Sequence, residues 1–293
     1  DWHRILGSRL AGLDRVELEQ LTEALAKHSR RSLRLNPLIG DKLLPFDSQQ
    51  IPWYRNGRWV MDPTVRPGAF LQHASGDYYI QDAASMLALN ACRIQPHEAV
   101  CDVCAAPGGK ATGLLQQLNH TGYLVANEVI KSRLHVLNSA LERTGLGNYV
   151  TTSLDVAQFS ELLPSRFDCV LVDAPCSGQS MVGSHKQSIA AYSEHQIHHS
   201  AARQRRILQA ASRLAKPGGR LVYSTCTFAV VENEETIQHF LSLNSDWRTV
   251  EYSDLQPWGS PLLSGCYRLW PHRDDCDGAF VAILARNADG SVQ

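Results

Sequence analysis

The sequence predicts an α/β protein: a mostly parallel, seven-stranded sheet with helices on both faces and a C-terminal β-hairpin, behind a small N-terminal α+β module. Three observations predict it. Short apolar runs alternate with amphipathic segments of helical length from residue 99 onward, and such alternation packs as parallel strands covered by helices. The run FDCVLVDAP is apolar almost throughout, as a strand buried on both faces requires. Near the C-terminus, CYRLWPH and GAFVAILAR flank an acidic turn and read as a hairpin.

The chain of 293 residues, 44% apolar and 19% charged, is long enough for a large domain plus a small one. We divide it into residues 1–75, the α+β module, and 76–293, the α/β domain. No stretch approaches the roughly 20 continuous apolar residues of a membrane span, and DWHRILGSRL lacks a hydrophobic signal core, so a cytoplasmic location is expected. The sequence begins at Asp1 rather than Met, as expected if a tag or an upstream segment is missing. A net charge of -1 argues against a broad non-specific basic face. Basic residues cluster in 28–35 and 202–208, the second equally readable as a solvated helix face. The eight cysteines are expected as reduced thiols, most of them small buried hydrophobes.

Within the module, residues 13–28 carry Leu13, Leu18, Leu21 and Leu25 at helical spacing. SLRLNPLIG reads as a strand entering a turn, and 36–75 holds short extended pieces such as RWVM. Residues 83–92 form a helix. The alternation then runs through strand AVCDVCAA, helix 109–118, strand GYLVANEV, helix KSRLHVLNSALERTG and strand NYVTTS. After FDCVLVDAP comes a long helix that Pro-Gly-Gly stops, then strand RLVYSTCTF and helix VENEETIQHFLSL. A hairpin appended to such a sheet is the pattern of the Rossmann-like methyltransferases.

Ligands of open α/β sheets sit outside the carboxyl ends of the strands. The first strand ends in Cys104-Ala105-Ala106-Pro107-Gly108-Gly109-Lys110, whose small residues allow close backbone approach at a helix N-terminus. The fingerprint G-x-G-x-x-G is absent. Glu128 closes the second strand, where an acid holds ribose hydroxyls. Asp155 follows the third, where it can pair with an adenine amino group, and Asp102 lies within the first. Three acids at successive strand ends suit a neutral or cationic nucleoside cofactor better than a triphosphate.

The fourth strand ends in Asp173-Ala174-Pro175-Cys176-Ser177-Gly178 and the fifth in Ser224-Thr225-Cys226-Thr227-Phe228, so adjacent parallel strands would place both thiols at one sheet edge. Cytosine C5 is a poor nucleophile until a thiolate adds to C6, and a thiol beside a methyl donor meets that need. The intermediate also needs a proton donor or hydrogen bond at N3, for which Asp173 is placed.

CAAPGGK (104–110), DAPCSG (173–178), YSTCTF (223–228) and ENEE (232–235) resemble the RNA 5-methylcytosine methyltransferases of the Sun/Nop type. YYIQDAAS, RLWPHRDDCDGAFVA and SLRLN are also similar to family segments, the last opening the family's small RNA-binding module. The resemblance implies S-adenosylmethionine as cofactor, held by residues 104–110, Glu128, Asp155 and Asp173. It implies Cys226 as nucleophile and Cys176 as assisting product release. It implies RNA as the partner, ribosomal RNA first and transfer RNA second, with the base out of its stack. The chain is expected to act as a monomer without the extra RNA-binding domains of some members. The loop GQSMVGSHKQSIAAYS (178–193) departs from the family's Arg-rich segment, with Lys186 its one firm cation.

Other constellations read more simply. Strand position accounts for Cys101 and Cys104, and a solvated helix face for His195, His198 and His199. Cys266, His272 and Cys276 have irregular spacing, and no metal is expected. Trp53, Tyr54 and Trp59 are read as core of the small module rather than as base-stacking groups. Two other readings stay open. A methyltransferase for another base or a protein would not need Cys226, and a non-catalytic RNA-binding or ribosome assembly factor would need neither thiol.

Overall fold

The structure, a computed structural model, describes residues 12–27, 29–39, 44–182 and 187–288. The module opens with α1 (Arg15–Leu25), started by a capping box in which Asp14 accepts from Glu17 N at 2.9 Å. Its Leu21 and Leu25 are buried, and Leu13 and Leu18 pack against them. Then come β1 (Ser32–Leu35), β2 (Ser48–Gln50), β3 (Gly57–Val60), the single turn α2 (Leu71–Ala74) and β4 (Tyr78–Ile80). These strands form an antiparallel sheet in the order β2-β3-β1-β4, so the module's sheet is completed by residues 78–80.

The large domain follows with α3 (Met86–Ala91), β5 (Ala99–Asp102), α4 (Gly109–Leu118), β6 (Tyr123–Asn127), α5 (Leu134–Glu142), β7 (Tyr149–Thr152), α6 (Val156–Leu162) and β8 (Phe167–Asp173). After β8 come α7 (Glu194–Ser212), β9 (Ala215–Thr225), α8 (Glu234–Leu243), β10 (Trp247–Thr249), β11 (Cys266–Leu269), the short α9 (Pro271–Asp274) and β12 (Ala279–Arg286). The path β10-β12-β9-β8-β5-β6-β7 holds seven strands, and β11 pairs on β12 as an eighth. The stretch from β9 to β7 is parallel, and the hairpin β11–β12 lies antiparallel against β9.

Helix α4 spans the residues expected of it, whereas three details differ. Helix α7 ends at Ser212, and Lys216-Pro217-Gly218-Gly219 belongs to the entry of β9 rather than to the helix stop. Helix α6 and the edge strand β10 are additional elements. Asp155 caps α6 by accepting from Ala157 N at 2.9 Å, a start signal that seven residues of helix left easy to overlook. Trp53, Tyr54 and Trp59 are buried, with the Trp53 ring edge-on to both Trp59 and Trp258 at 5.6 Å, so they are core.

The basic cluster at 28–35 is divided between surface and interior, with Arg31 exposed, Arg30 partly exposed and Arg34 buried. Arg31 donates to Pro63 O at 2.7 Å and Val65 O at 2.5 Å, and Arg30 pairs with Asp275 at 2.9 Å. Arg34 is wholly buried between module and large domain. It donates to Gly109 O at 2.6 Å, Thr112 Oγ1 at 2.7 Å, Gln116 Oε1 at 3.3 Å and Gln81 Oε1, with its guanidinium over the Tyr79 ring. A guanidinium survives burial only when its donors are met. His28 lies outside the described residues.

Arg34→Ala leaves these acceptors without their partner and opens a cavity, so it should destabilise the fold by about 3 kcal/mol or more. Urea denaturation measures this, and a loss below about 1 kcal/mol would mean the guanidinium is not what joins the two parts.

Candidate functional site

A cavity of about 900 Å³ opens at the carboxyl ends of β5, β6, β8 and β9. It is where a parallel sheet presents loop backbone rather than paired strand. Cys104, Ala105, Ala106, Pro107, Gly109 and Lys110 line it, with Glu128, Asp155, Asp173, Cys176 and Cys226. Of the residues singled out from the sequence, Gly108 does not line it. Gly108 has φ 112°, and a Cβ there would meet the Ala140 Cβ at 2.8 Å, so glycine serves the turn into α4.

The acids are placed differently from one another. Glu128 is buried, its carboxylate accepting from Ile130 N at 2.8 Å and Arg133 Nη1 at 3.2 Å. Arg133 also donates to Ala106 O at 2.7 Å, so the second strand end braces the loop of the first. Asp155 serves as the cap of α6 while lining the cavity. Asp102 Oδ1 accepts from Cys104 N at 3.3 Å, and its buried Oδ2 has no hydrogen-bond partner. Burial, reinforced by the Asp173 carboxylate and opposed by Lys110, pushes the Asp102 carboxyl up to about 7.

Asp173 ends β8 opposite Ser224 of β9. It accepts from Ser224 Oγ at 2.8 Å and from Lys110 Nζ at 2.7 Å. Burial opposes the Lys110 charge, but the Asp173 carboxylate more than offsets it and raises the pKa. Just past these strand ends, Cys176 Sγ and Cys226 Sγ lie 3.1 Å apart. The hydrogen bond to Cys226, with burial, holds the Cys176 thiol well above the ordinary thiol range, so Cys176 keeps its proton. Met181 Sδ lies 3.7 Å from Cys226 Sγ.

Sequence reasoning missed the layer beneath the thiols. Glu232 is fully buried and accepts from Ser177 N, Ser177 Oγ, Thr227 Oγ1 and Gln204 Nε2. Asn233 accepts from Thr225 Oγ1 at 2.7 Å and donates to Thr227 O at 2.9 Å, and Glu234 pairs with buried Arg268. The acidic ENEE run, apart from exposed Glu235, is thus internal scaffolding. Its signal was acidity directly behind a buried strand. Arg203 and Arg206 of α7 also line the cavity, so this part of the 202–208 cluster is more than a solvated helix face.

Cys101, Cys266 and Cys276 are buried, and His195 stacks on His199 at the exposed surface of α7. Among the described residues no group of three His, Cys, Asp or Glu side chains could hold a metal ion, and no helix is long and apolar enough to cross a membrane. Lys186 lies outside the described residues.

The sheet order and C-terminal hairpin are those of a Rossmann-like class I methyltransferase. The model of the 16S rRNA methyltransferase RsmB/F family matches residues 88–285, and that of the N-terminal domain of 16S rRNA methyltransferase RsmF matches residues 8–83. The chain belongs to the RsmB/F family. It is 34% identical over 289 residues to ribosomal RNA small subunit methyltransferase F of Aeromonas salmonicida, covering 93% of this chain and 61% of that protein. The corresponding protein of Klebsiella pneumoniae is 35% identical over 296 residues, with 93% and 61% covered. The chain therefore spans about three-fifths of the length of these relatives. Among solved structures, a methyltransferase homolog from Pyrococcus horikoshii superposes with a TM-score of 0.79 at 27% identity, covering 94% of this chain and 96% of that one. NSun6 from the same organism superposes with a TM-score of 0.81 at 19% identity, covering 98% and 97%, a likeness of fold.

The raised Asp102 carboxyl gives a pH dependence with a definite sign. A carboxyl whose folded pKa lies above its unfolded value near 3.8 costs nothing while protonated, and destabilises the fold increasingly as pH rises toward 7. The cost by pH 8 is on the order of 4 kcal/mol relative to pH 4. Asp102→Asn should therefore gain stability over the wild type as pH rises across this window. Denaturation curves at pH 4 and pH 8 test it, and a mutant–wild-type difference that stays constant would refute the assignment.

Proposed function

We propose that this protein methylates C5 of a cytosine in 16S ribosomal RNA, using S-adenosylmethionine and a covalent adduct between Cys226 and cytosine C6. The observation that carries the reading is the meeting of Cys226 and Cys176, 3.1 Å apart, in the cavity that the 104–110 loop also lines. Family membership and the relatives named as ribosomal RNA small subunit methyltransferase F support it.

The residues present fit the cofactor. The cavity is ample for a nucleoside and a flipped base together, and the orphaned Asp102 Oδ2 marks a polar site within it. Residues 104–110, Glu128 and Asp155 would hold the cofactor, Glu128 through lone pairs free for ribose hydroxyls and Asp155 by pairing with the adenine amino group. When bound, S-adenosylmethionine supplies an electrophilic methyl group.

The chain's own groups then divide the work. The Cys226 thiolate adds to C6, and the C5–C6 π electrons become available at C5 to take up the methyl. Asp173, held by Lys110 and Ser224, is placed to supply the proton or hydrogen bond that the intermediate needs at the cytosine N3–N4 edge. A base then removes the C5 proton, the C5–C6 double bond re-forms, and Cys226 leaves as thiolate. Cys176, holding its proton beside Cys226, assists that last step. The module of residues 1–75, with the strand 78–80 that completes its sheet, contributes an RNA-binding surface, and the work is placed in the cytoplasm.

The test is methyl transfer from radiolabelled S-adenosylmethionine to RNA from cells lacking the enzyme, followed by size fractionation and nucleoside analysis. Label in 5-methylcytidine of the small-subunit RNA is expected, and label confined to transfer RNA or to another nucleoside would sink the reading. Cys226→Ala should abolish both methylation and the adduct. Cys176→Ala should leave enzyme covalently trapped on RNA, visible as a slow band on a denaturing gel, and normal turnover without that band would reverse the assignment of the two thiols.

A further inference from the structure

A fully buried polar cluster lies beneath the two thiols. Glu232 Oε2 accepts from Ser177 N at 2.9 Å and Gln204 Nε2 at 2.8 Å, while Oε1 accepts from Ser177 Oγ at 2.5 Å and Thr227 Oγ1 at 3.2 Å. Ser177 follows Cys176 in the loop after β8, and Thr227 follows Cys226 in the loop after β9. Ser177 Oγ and Thr227 Oγ1 are themselves 2.9 Å apart. One carboxylate therefore clamps the residue next to each thiol and ties both loops to α7. Fully buried, it has no cation among the partners of its carboxylate, so its charge rests on these four donors.

The two loops are not held equally by other means. The Cys226 loop is anchored apart from Glu232. Asn233 accepts from Thr225 Oγ1 and donates to Thr227 O, and two bonds tie this loop to the Cys176 loop itself, Ser180 N to Cys226 O at 3.2 Å and Phe228 N to Gln179 Oε1 at 3.0 Å. In the Cys176 loop, Ala174 N donates to Ser224 O at 2.8 Å and the exposed Gln187 donates to Ser177 O at 3.1 Å, but Ser177 places both its donors on Glu232, where Thr227 places one, and Gln204, itself on Glu232, reaches back to Pro175 O at 3.2 Å. Removing the carboxylate frees the Cys176 side more than the Cys226 side.

We propose that Glu232 is a positioning residue that sets the Cys176–Cys226 separation and so controls breakdown of the covalent RNA adduct rather than its formation. This rests on the proposed cytosine methylation. Without Glu232 the nucleophile still meets C6, but Cys176 no longer sits beside the departing sulfur, and elimination slows. The amide of Glu232→Gln can replace Oε1, because the hydroxyls of Ser177 and Thr227 rotate to accept, while its remaining oxygen still takes Ser177 N and Gln204 Nε2.

The experiment compares wild type, Glu232→Ala and Glu232→Gln by single-turnover methyl transfer, steady-state turnover and adduct trapping on the same RNA, with S-adenosylmethionine affinity measured alongside. Glu232→Ala should keep single-turnover transfer and cofactor Kd within about 3-fold, lose roughly 10²-fold in turnover and accumulate adduct, the scale on which a misplaced acid–base group acts. Glu232→Gln should restore most turnover. A Glu232→Ala enzyme that loses adduct formation and turnover together, or that turns over like wild type, overturns the proposal. If Glu232→Ala does not fold, Ser177→Ala, which removes one clamp donor, carries the same expectation at smaller amplitude, and wild-type turnover without adduct then overturns it. Absence of any adduct or 5-methylcytidine with wild type would sink the cytosine reading itself, a separate result.

Discussion

The parallel pairing of β8 with β9, with Asp173 opposite Ser224, is the constraint on which the site depends. Both strands stop within two residues of that pair, so both following loops must leave from one edge of the sheet. Two cysteines separated by 50 positions in the chain thereby come into hydrogen-bond contact. Hairpin β11–β12 seals the outer side of β9 through six register pairs, which keeps this edge from fraying.

Around that edge the charges, buried and partly buried, are arranged by partner rather than by sign. Lys110 and Asp173 hold each other, Arg133 and Glu128 brace the 104–110 loop, and Arg268 holds Glu234 behind β9. Breaking such a pair from one side strands the other charge, so these positions tolerate conservative change poorly. Asp102 and Glu232 lack a contacting cation among these bonds, and burial raises both carboxyls. The first is partly unpartnered and faces the cavity, while the second is saturated with donors.

Arg34 plays the corresponding role between the two parts of the chain. Its bond to Gly109 O reaches the first turn of α4, which begins at the loop lining the cavity. The small sheet is therefore fastened to the 104–110 side of the cavity. Of the described basic residues at 28–35, only Arg34 is wholly withdrawn from solvent, while Arg31 stays exposed and Arg30 partly so.

Much of this was legible in the sequence because it is local. Apolar runs set β5 through β9, helical spacing set α1 and α4, and the small residues of 104–110 marked the loop, since each depends on neighbours within a few positions. Asp173, Cys176 and Cys226 were legible because strand ends are. What the sequence did not reveal depends on who packs against whom. A basic cluster and an acidic run look like solvent-facing charge, and only tertiary contact showed Arg34 and Glu232 to be buried, because donors and acceptors far apart in the chain satisfy them. Short elements such as α6 and β10 escaped for the same reason, being stabilised by the sheet they edge or cover rather than by their own pattern. By itself, then, the sequence determined the order of the longer strands and helices and the chemical types at the strand ends. The distances among those groups, and which charges face solvent, were decided only when the sheet brought the ends together.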